Sequence, residues 1–163
     1  MKLHLNLTLR RALMAAMAMV TLHTAEAALN TEFNKTDAYV TGEGVLTEKD
    51  WNDIWNKHKS GTLTIGSYEG SASVDLTDST YNSKNGIIFV GGTGHNSDGG
   101  TANDGTLNVT SSMEVDKLHV GLSQKQCNGT LDIDGGKVTA GSELTVGGYA
   151  GTGQYRRCPP CSR

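Results

Sequence analysis

Asp132 and Asp134 flank Ile133, so an alternating stretch sends both carboxylates out on one face. Such a pair could hold Ca²⁺ or do acid–base work in a glycan-cleaving protein. The matching places of the neighbouring motif carry Asn108 and Thr110, and those of the first motif carry Thr64 and Gly66. That series reads as a solvated ladder. His119 lies between Leu118 and Val120, which points it outward as an exposed side chain, and Phe89 and Thr145 hold the equivalent places. Phe89, His119 and Thr145 are therefore a candidate surface-contact strip. Cys158-Pro-Pro-Cys161 has redox and metal spacing, but it lacks the βαβ setting of a thioredoxin-like motif and supplies two of the four ligands a zinc site needs. A local or intermolecular disulfide is the competing reading. Between Gly91 and Gly105, His95, Asn96, Asp98, Asn103 and Asp104 have the composition of a calcium loop without its repeated apolar lock, so a surface loop is expected. Asn34, Asn108 and Asn128 open Asn-x-Thr sequons. No Ser/His/Asp or Cys/His set has supporting spacing, and no phosphate loop follows a strand. No catalytic residue, cofactor or metal site is assigned, and the expectation is a protein that is not an enzyme.

The elements that must carry these residues are short. The chain has 163 residues with 21 Gly, 2 Pro, 6% aromatic and 19% charged residues. That is enough for one domain or a short repeat array, with a poor supply of large core residues. No three-residue Gly period runs through it, which excludes collagen. Residues 28–45 read as an extended lead-in with a strand near Ala38–Thr41. Thr47-Glu48-Lys49-Asp50 is a capping-box pattern, and Trp51, Ile54 and Trp55 fall on one helical face. Lys57, His58 and Lys59 suit a last turn and Gly61 a stop, which predicts an amphipathic helix over about 47–59. A helix packed elsewhere would show the same pattern.

A unit then recurs. Gly61-Thr-Leu-Thr-Ile-Gly66, Gly105-Thr-Leu-Asn-Val-Thr110 and Gly129-Thr-Leu-Asp-Ile-Asp134 are followed by Ile88-Phe-Val-Gly91, Leu118-His-Val-Gly121 and Leu144-Thr-Val-Gly147. Weaker apolar pieces lie between: Val74 and Leu76, Met113 and Val115, then Val138. Recurrence of short half-buried strands argues for stacked coils, with Leu131 and Ile133 over Leu107 and Val109, over Leu63 and Ile65. The expected fold is all-β: a parallel β-helix of about three coils over 61–153, with 28–60 as lead-in and capping helix. A small sandwich is the alternative. The Gly-Thr-Leu-x-Val/Ile pieces with Leu-x-Val-Gly closures resemble the β-helical passenger regions of Gram-negative autotransporters, across about residues 61–153. The resemblance implies a right-handed parallel β-helix displayed on, or released from, the cell surface. Those proteins usually have many more coils and a C-terminal membrane barrel or sorting tail.

Lys2, Arg10 and Arg11, the apolar run Ala12–Leu22 and Ala25-Glu26-Ala27 make a secretory signal with cleavage after Ala27. A membrane span is the rival, but eleven residues rise about 16 Å, roughly half of a ~30 Å hydrocarbon core. Residues 154–163 break the repeat and hold both prolines and two of the three cysteines, which suggests a truncated or frame-shifted end. The formal net charge is −3. Residues 1–27 carry three basic groups and one acid, and residues 156–163 carry three arginines and no acid, which leaves −8 on the body between them. That sign repels nucleic acid and anionic lipid. The expected function is a non-enzymatic secreted or outer-membrane surface protein, a stalk or adhesin fragment whose partners are glycans or surface proteins. The alternative is a secreted carbohydrate-active β-helix of the polysaccharide-lyase or glycoside-hydrolase kind.

Overall fold

The computed structural model describes residues 28–66, 70–78, 80–92, 103–122, 127–148 and 152–158. The signal segment, most of the Gly91–Gly105 insertion and Cys161 lie outside these residues. The lead-in is a hairpin: β1 (Asn30–Asn34) pairs antiparallel with β2 (Asp37–Val45), and the chain reverses through Lys35 at φ 55°. Helix α1 (Glu48–Asn52) follows and runs on as a π-helical turn, Asp53–Lys57. The rest is strand: β3 (Thr62–Ile65), β4 (Ala72–Leu76), β5 (Thr80–Val90), β6 (Gly105–Val109), β7 (Ser112–Val120), β8 (Asn128–Asp134), β9 (Lys137–Val146) and β10 (Thr152–Cys158).

Alternating Leu, Val and Ile produce strands that pile up in parallel, in the order β10-β8-β6-β4-β2-β3-β5-β7-β9. β2 belongs to both walls. Its residues 37–40 pair with β3 and its residues 42–45 pair with β4. One wall stacks Val74, Leu107 and Leu131, and beside them Leu76, Val109 and Ile133. The other stacks Ala38, Leu63, Ile88, Leu118 and Leu144, and beside them Val40, Ile65, Val90, Val120 and Val146. These side chains are buried apart from Leu144 and Val146. A long strand bends in each of the later coils, and its first part supplies a third face: Tyr81, Met113 and Val138 align there. Complete windings start at Ala72, Gly105 and Gly129, and β10 begins another. The fold is all-β, a parallel β-helix.

The register differs from the expected one in one respect. Leu107 and Val109 rest on Val74 and Leu76 of β4, while Leu63 and Ile65 stack on Ile88 and Val90 in the other wall. Leu63-Thr-Ile-Gly66 is thus a closure of the Leu-x-Val-Gly kind. Its glycine shares a positive φ (79°) with Gly91 (72°), Gly121 (67°) and Gly147 (76°), the conformation each corner requires. Val74 and Leu76 accordingly leave the intermediate face, which Tyr81 fills. The parallel ladder also starts before residue 61, at β2, and it runs past residue 154 into β10.

The helix covers the end of the stack. The Thr47 hydroxyl accepts from the Asp50 amide (3.2 Å), and the Asp50 carboxylate accepts from the Thr47 amide (3.2 Å), closing the capping box. Asp78 adds a carboxylate for the Glu48 amide at 2.7 Å. The Trp51 indole donates to the Asn82 carbonyl (3.1 Å), an edge that no strand of the preceding coil takes up, and its ring meets Tyr81 edge-on at 5.3 Å. Tyr81 is buried and donates to the Leu46 carbonyl (2.8 Å). The helix ends sooner than its spacing suggests. Lys59, not Gly61, takes the left-handed conformation (φ 52°) that turns the chain away.

Candidate functional site

Each wall carries rows of outward-pointing side chains, and only those that stay exposed or half-buried are open to a ligand or partner. In the wall of β4, β6 and β8, one row is Ser73, Thr106, Thr130 and Gln154, and the next is Asp75, Asn108, Asp132 and Arg156. Asn108 donates its side-chain amide to the Asp75 carboxylate at 2.7 Å, a bridge between neighbouring coils. Asp132 is half-buried and Asp134 exposed, as their alternation with buried Leu131 and Ile133 dictates. Asp132 takes the next rung, between Asn108 and Arg156, while Asp134 stands at the strand end opposite Cys158. The arrangement is a polar ladder along the axis, with Asp132 and Asp134 at successive outward positions of one strand.

The second row is Tyr39, Thr64, Phe89, His119 and Thr145, each in register with the next. The structure joins Phe89, His119 and Thr145 in one strip as expected, but it does not leave His119 exposed. Phe89 is 8% exposed and His119 6%. Their rings stack with centroids 4.8 Å apart and planes 24° apart, which shields both faces in contact. The continuous apolar run Ile87-Ile88-Phe89-Val90 signals a strand buried on both sides, and a simple in–out reading of His119 passes over it. The His119 Nδ1 is buried without a hydrogen-bond partner. Burial holds its pKa below the usual histidine value; Glu143 pulls the other way, and Lys117 adds to the depression. Beside the strip, Lys117 and Glu143 form a 3.3 Å ion pair, and the Thr145 hydroxyl donates to the other Glu143 oxygen at 3.2 Å. These bonds keep the Glu143 carboxyl below its usual range.

Of the sequon asparagines, Asn128 is tied to Asp104, whose carboxylate accepts its amide at 2.7 Å and its side chain at 3.1 Å. Asp104 thus acts as a loop anchor for the next coil. His95, Asn96 and Asp98, considered as a calcium loop, lie outside the described residues. Among the described residues no group of His, Cys, Asp and Glu could hold a metal ion, and no helix is long and apolar enough to cross a membrane.

A recess escaped the sequence reading. Trp55, Lys59, Ser60, Ser83 and Lys84 help to line a cavity of about 440 Å³ where the end of the helix faces the bend of β5. Its sequence signal is the Lys84-Asn85-Gly86 bend. β5 places three residues between Ser83 and Ile87, where β7 has Asp116 alone. The chain matches no family model, no curated protein and no solved structure.

Proposed function

We propose that the chain is a non-enzymatic exported surface protein, a β-helical stalk or adhesive module of the autotransporter-passenger type. The observation that carries this reading is the in-register stack of polar outward rows on a continuous apolar interior. The wall of β4, β6, β8 and β10 presents donors and acceptors at the repeat of its coils, about 4.8 Å apart, over four rungs. Rows of Thr, Asn, Asp and Ser at that spacing suit glycans or the polar surfaces of other proteins. Residues 1–27, with a basic start, an apolar run and Ala25-Glu26-Ala27, supply the export signal. The charge of −8 on the body disfavours nucleic acid and anionic lipid as partners.

The test is retention of the purified full chain on cells and glycan arrays, with and without calcium, and analysis of the glycans afterwards. Retention with unaltered glycans is expected. Cleaved glycans, with cleavage lost in Asp132→Ala, would replace this reading by a carbohydrate-active enzyme.

A further inference from the structure

We infer that Asn34 is the acceptor of an N-linked glycan, transferred to its side-chain nitrogen from a sugar carried on a diphosphate. Residues 28–163 hold three Asn-x-Thr sequons, at Asn34, Asn108 and Asn128, and the fold makes them unequal. A sequon is read through its asparagine amide and its threonine hydroxyl, so the fold must leave both available. At Asn108 it leaves neither. The amide donates to the Asp75 carboxylate at 2.7 Å, the Thr110 hydroxyl donates to the Leu76 carbonyl at 3.2 Å, and β6 is paired on both edges. At Asn128 the side-chain amide donates to the Asp104 carboxylate at 3.1 Å. The same carboxylate accepts the Asn128 backbone amide at 2.7 Å, and β8 also runs between two strands. A glycan at either place would cost bonds that tie one winding to the next.

Asn34 is the opposite case. It closes the β1–β2 hairpin opposite Asp37, and its sequon continues through the two-residue turn of Lys35 and Thr36. All three residues are exposed, and among the described residues no hydrogen bond occupies the Asn34 amide or the Thr36 hydroxyl. β1 pairs with β2 alone. The turn is held through its backbone, where the Thr36 carbonyl accepts the Gly61 amide at 2.7 Å, so its side chains stand clear on a fixed bend. Exposed Glu32 lies two residues before Asn34 and, by alternation, on the same face of β1. Thr106 and Gln126 hold that place before the other two asparagines. Bacterial oligosaccharyltransferases, which use a lipid-linked donor, favour acceptors with a carboxylate there.

In the transfer, the Asn34 Nδ2 forms a bond to the anomeric carbon of the sugar. The bond from that carbon to the diphosphate oxygen breaks, the diphosphate leaves with the electron pair, and the amide gives up one proton to solvent. That the chain meets such a donor during export rests on the surface-protein reading above; the selection of Asn34 by the fold does not.

The test incubates the purified, folded full chain with a bacterial oligosaccharyltransferase and a lipid-diphosphate oligosaccharide. A second arm uses a soluble N-glycosyltransferase and a nucleotide-diphosphate hexose. Intact mass and peptide mapping read the product. One glycan at Asn34 in either arm supports the proposal, and the arms separate the two donors. Asn34→Gln and Thr36→Ala should each abolish the mass shift and keep the circular dichroism of the parent, because both side chains are exposed. No glycan on Asn34 in either arm would overturn the proposal, and so would a glycan on Asn108 or Asn128 to the same extent as on Asn34. Transfer to Asn34 without retention on cells would fault the surface-protein reading and leave the acceptor site intact; retention with Asn34 unmodified in both arms would do the reverse.

Discussion

His119 shows how one side chain couples the outward strip to stability. Its folded pKa is depressed by burial, so the folded state takes up a proton less readily than the unfolded chain. The His119 contribution is therefore fully present above the unfolded value near 6.5 and is lost as the pH falls through the lower folded value. Urea midpoints at pH 8 and pH 5 should differ more in the parent than in His119→Phe, which extends the Phe89 stack without a titratable ring. An equal pH dependence in the two proteins would contradict this account. Gly129 tests the corners. A Cβ there would collide with the Gly121 amide nitrogen and the Val90 carbonyl oxygen, backbone that cannot move aside alone. Gly129→Ala should cost about 1–3 kcal/mol or more in denaturant unfolding, the range for overfilled sites. Tyr81→Phe should cost about 1–3 kcal/mol, because it strips the phenolic partner from the Leu46 carbonyl and the Asp78 amide (3.1 Å).

At the scale of elements, the helix has the most to answer for. Trp51 and Ile54 are both 1% exposed. Trp51→Ala should destabilise by about 3–5 kcal/mol, with loss of the cooperative transition of the first coil as the measurable sign. The capping box and the buried face of this helix were legible, because Thr47, Asp50, Trp51 and Ile54 act through local spacing. Its ending was not, because Lys59 takes a left-handed turn usually left to Gly or Asn. The strand motifs and their parallel stacking were legible from the Gly-Thr-Leu and Leu-x-Val-Gly units. Register was less so. Gly61-Thr-Leu-Thr-Ile-Gly66 opens like one unit and closes like the other, and only pairing with Ile88 and Val90 decides between them. The recess was hidden for a related reason. Trp55 and Lys84 are far apart in the chain, and nothing local announces that a bend and a helix end will face each other.

For the whole molecule, the asymmetry between the two ends matters most. The helix covers one end, but at the other Leu144, Val146 and Tyr155 are 55%, 44% and 48% exposed, although their positions continue the interior columns. β10 carries Arg157 over Ile133, where the column would otherwise continue with an apolar side chain. An uncovered strand edge with apolar side chains invites self-association. Leu144→Lys with Val146→Thr should therefore reduce oligomers in sedimentation or light scattering and shift the urea midpoint little, since both sites are already wet. The parallel pairing has a mechanical consequence as well. Hydrogen bonds between windings run along the direction in which the windings pile up. Tension between the ends loads these bonds in sequence, so yielding begins at the weakest winding and travels from there. Lengthening such a rod would increase its reach without raising the force at which it gives way.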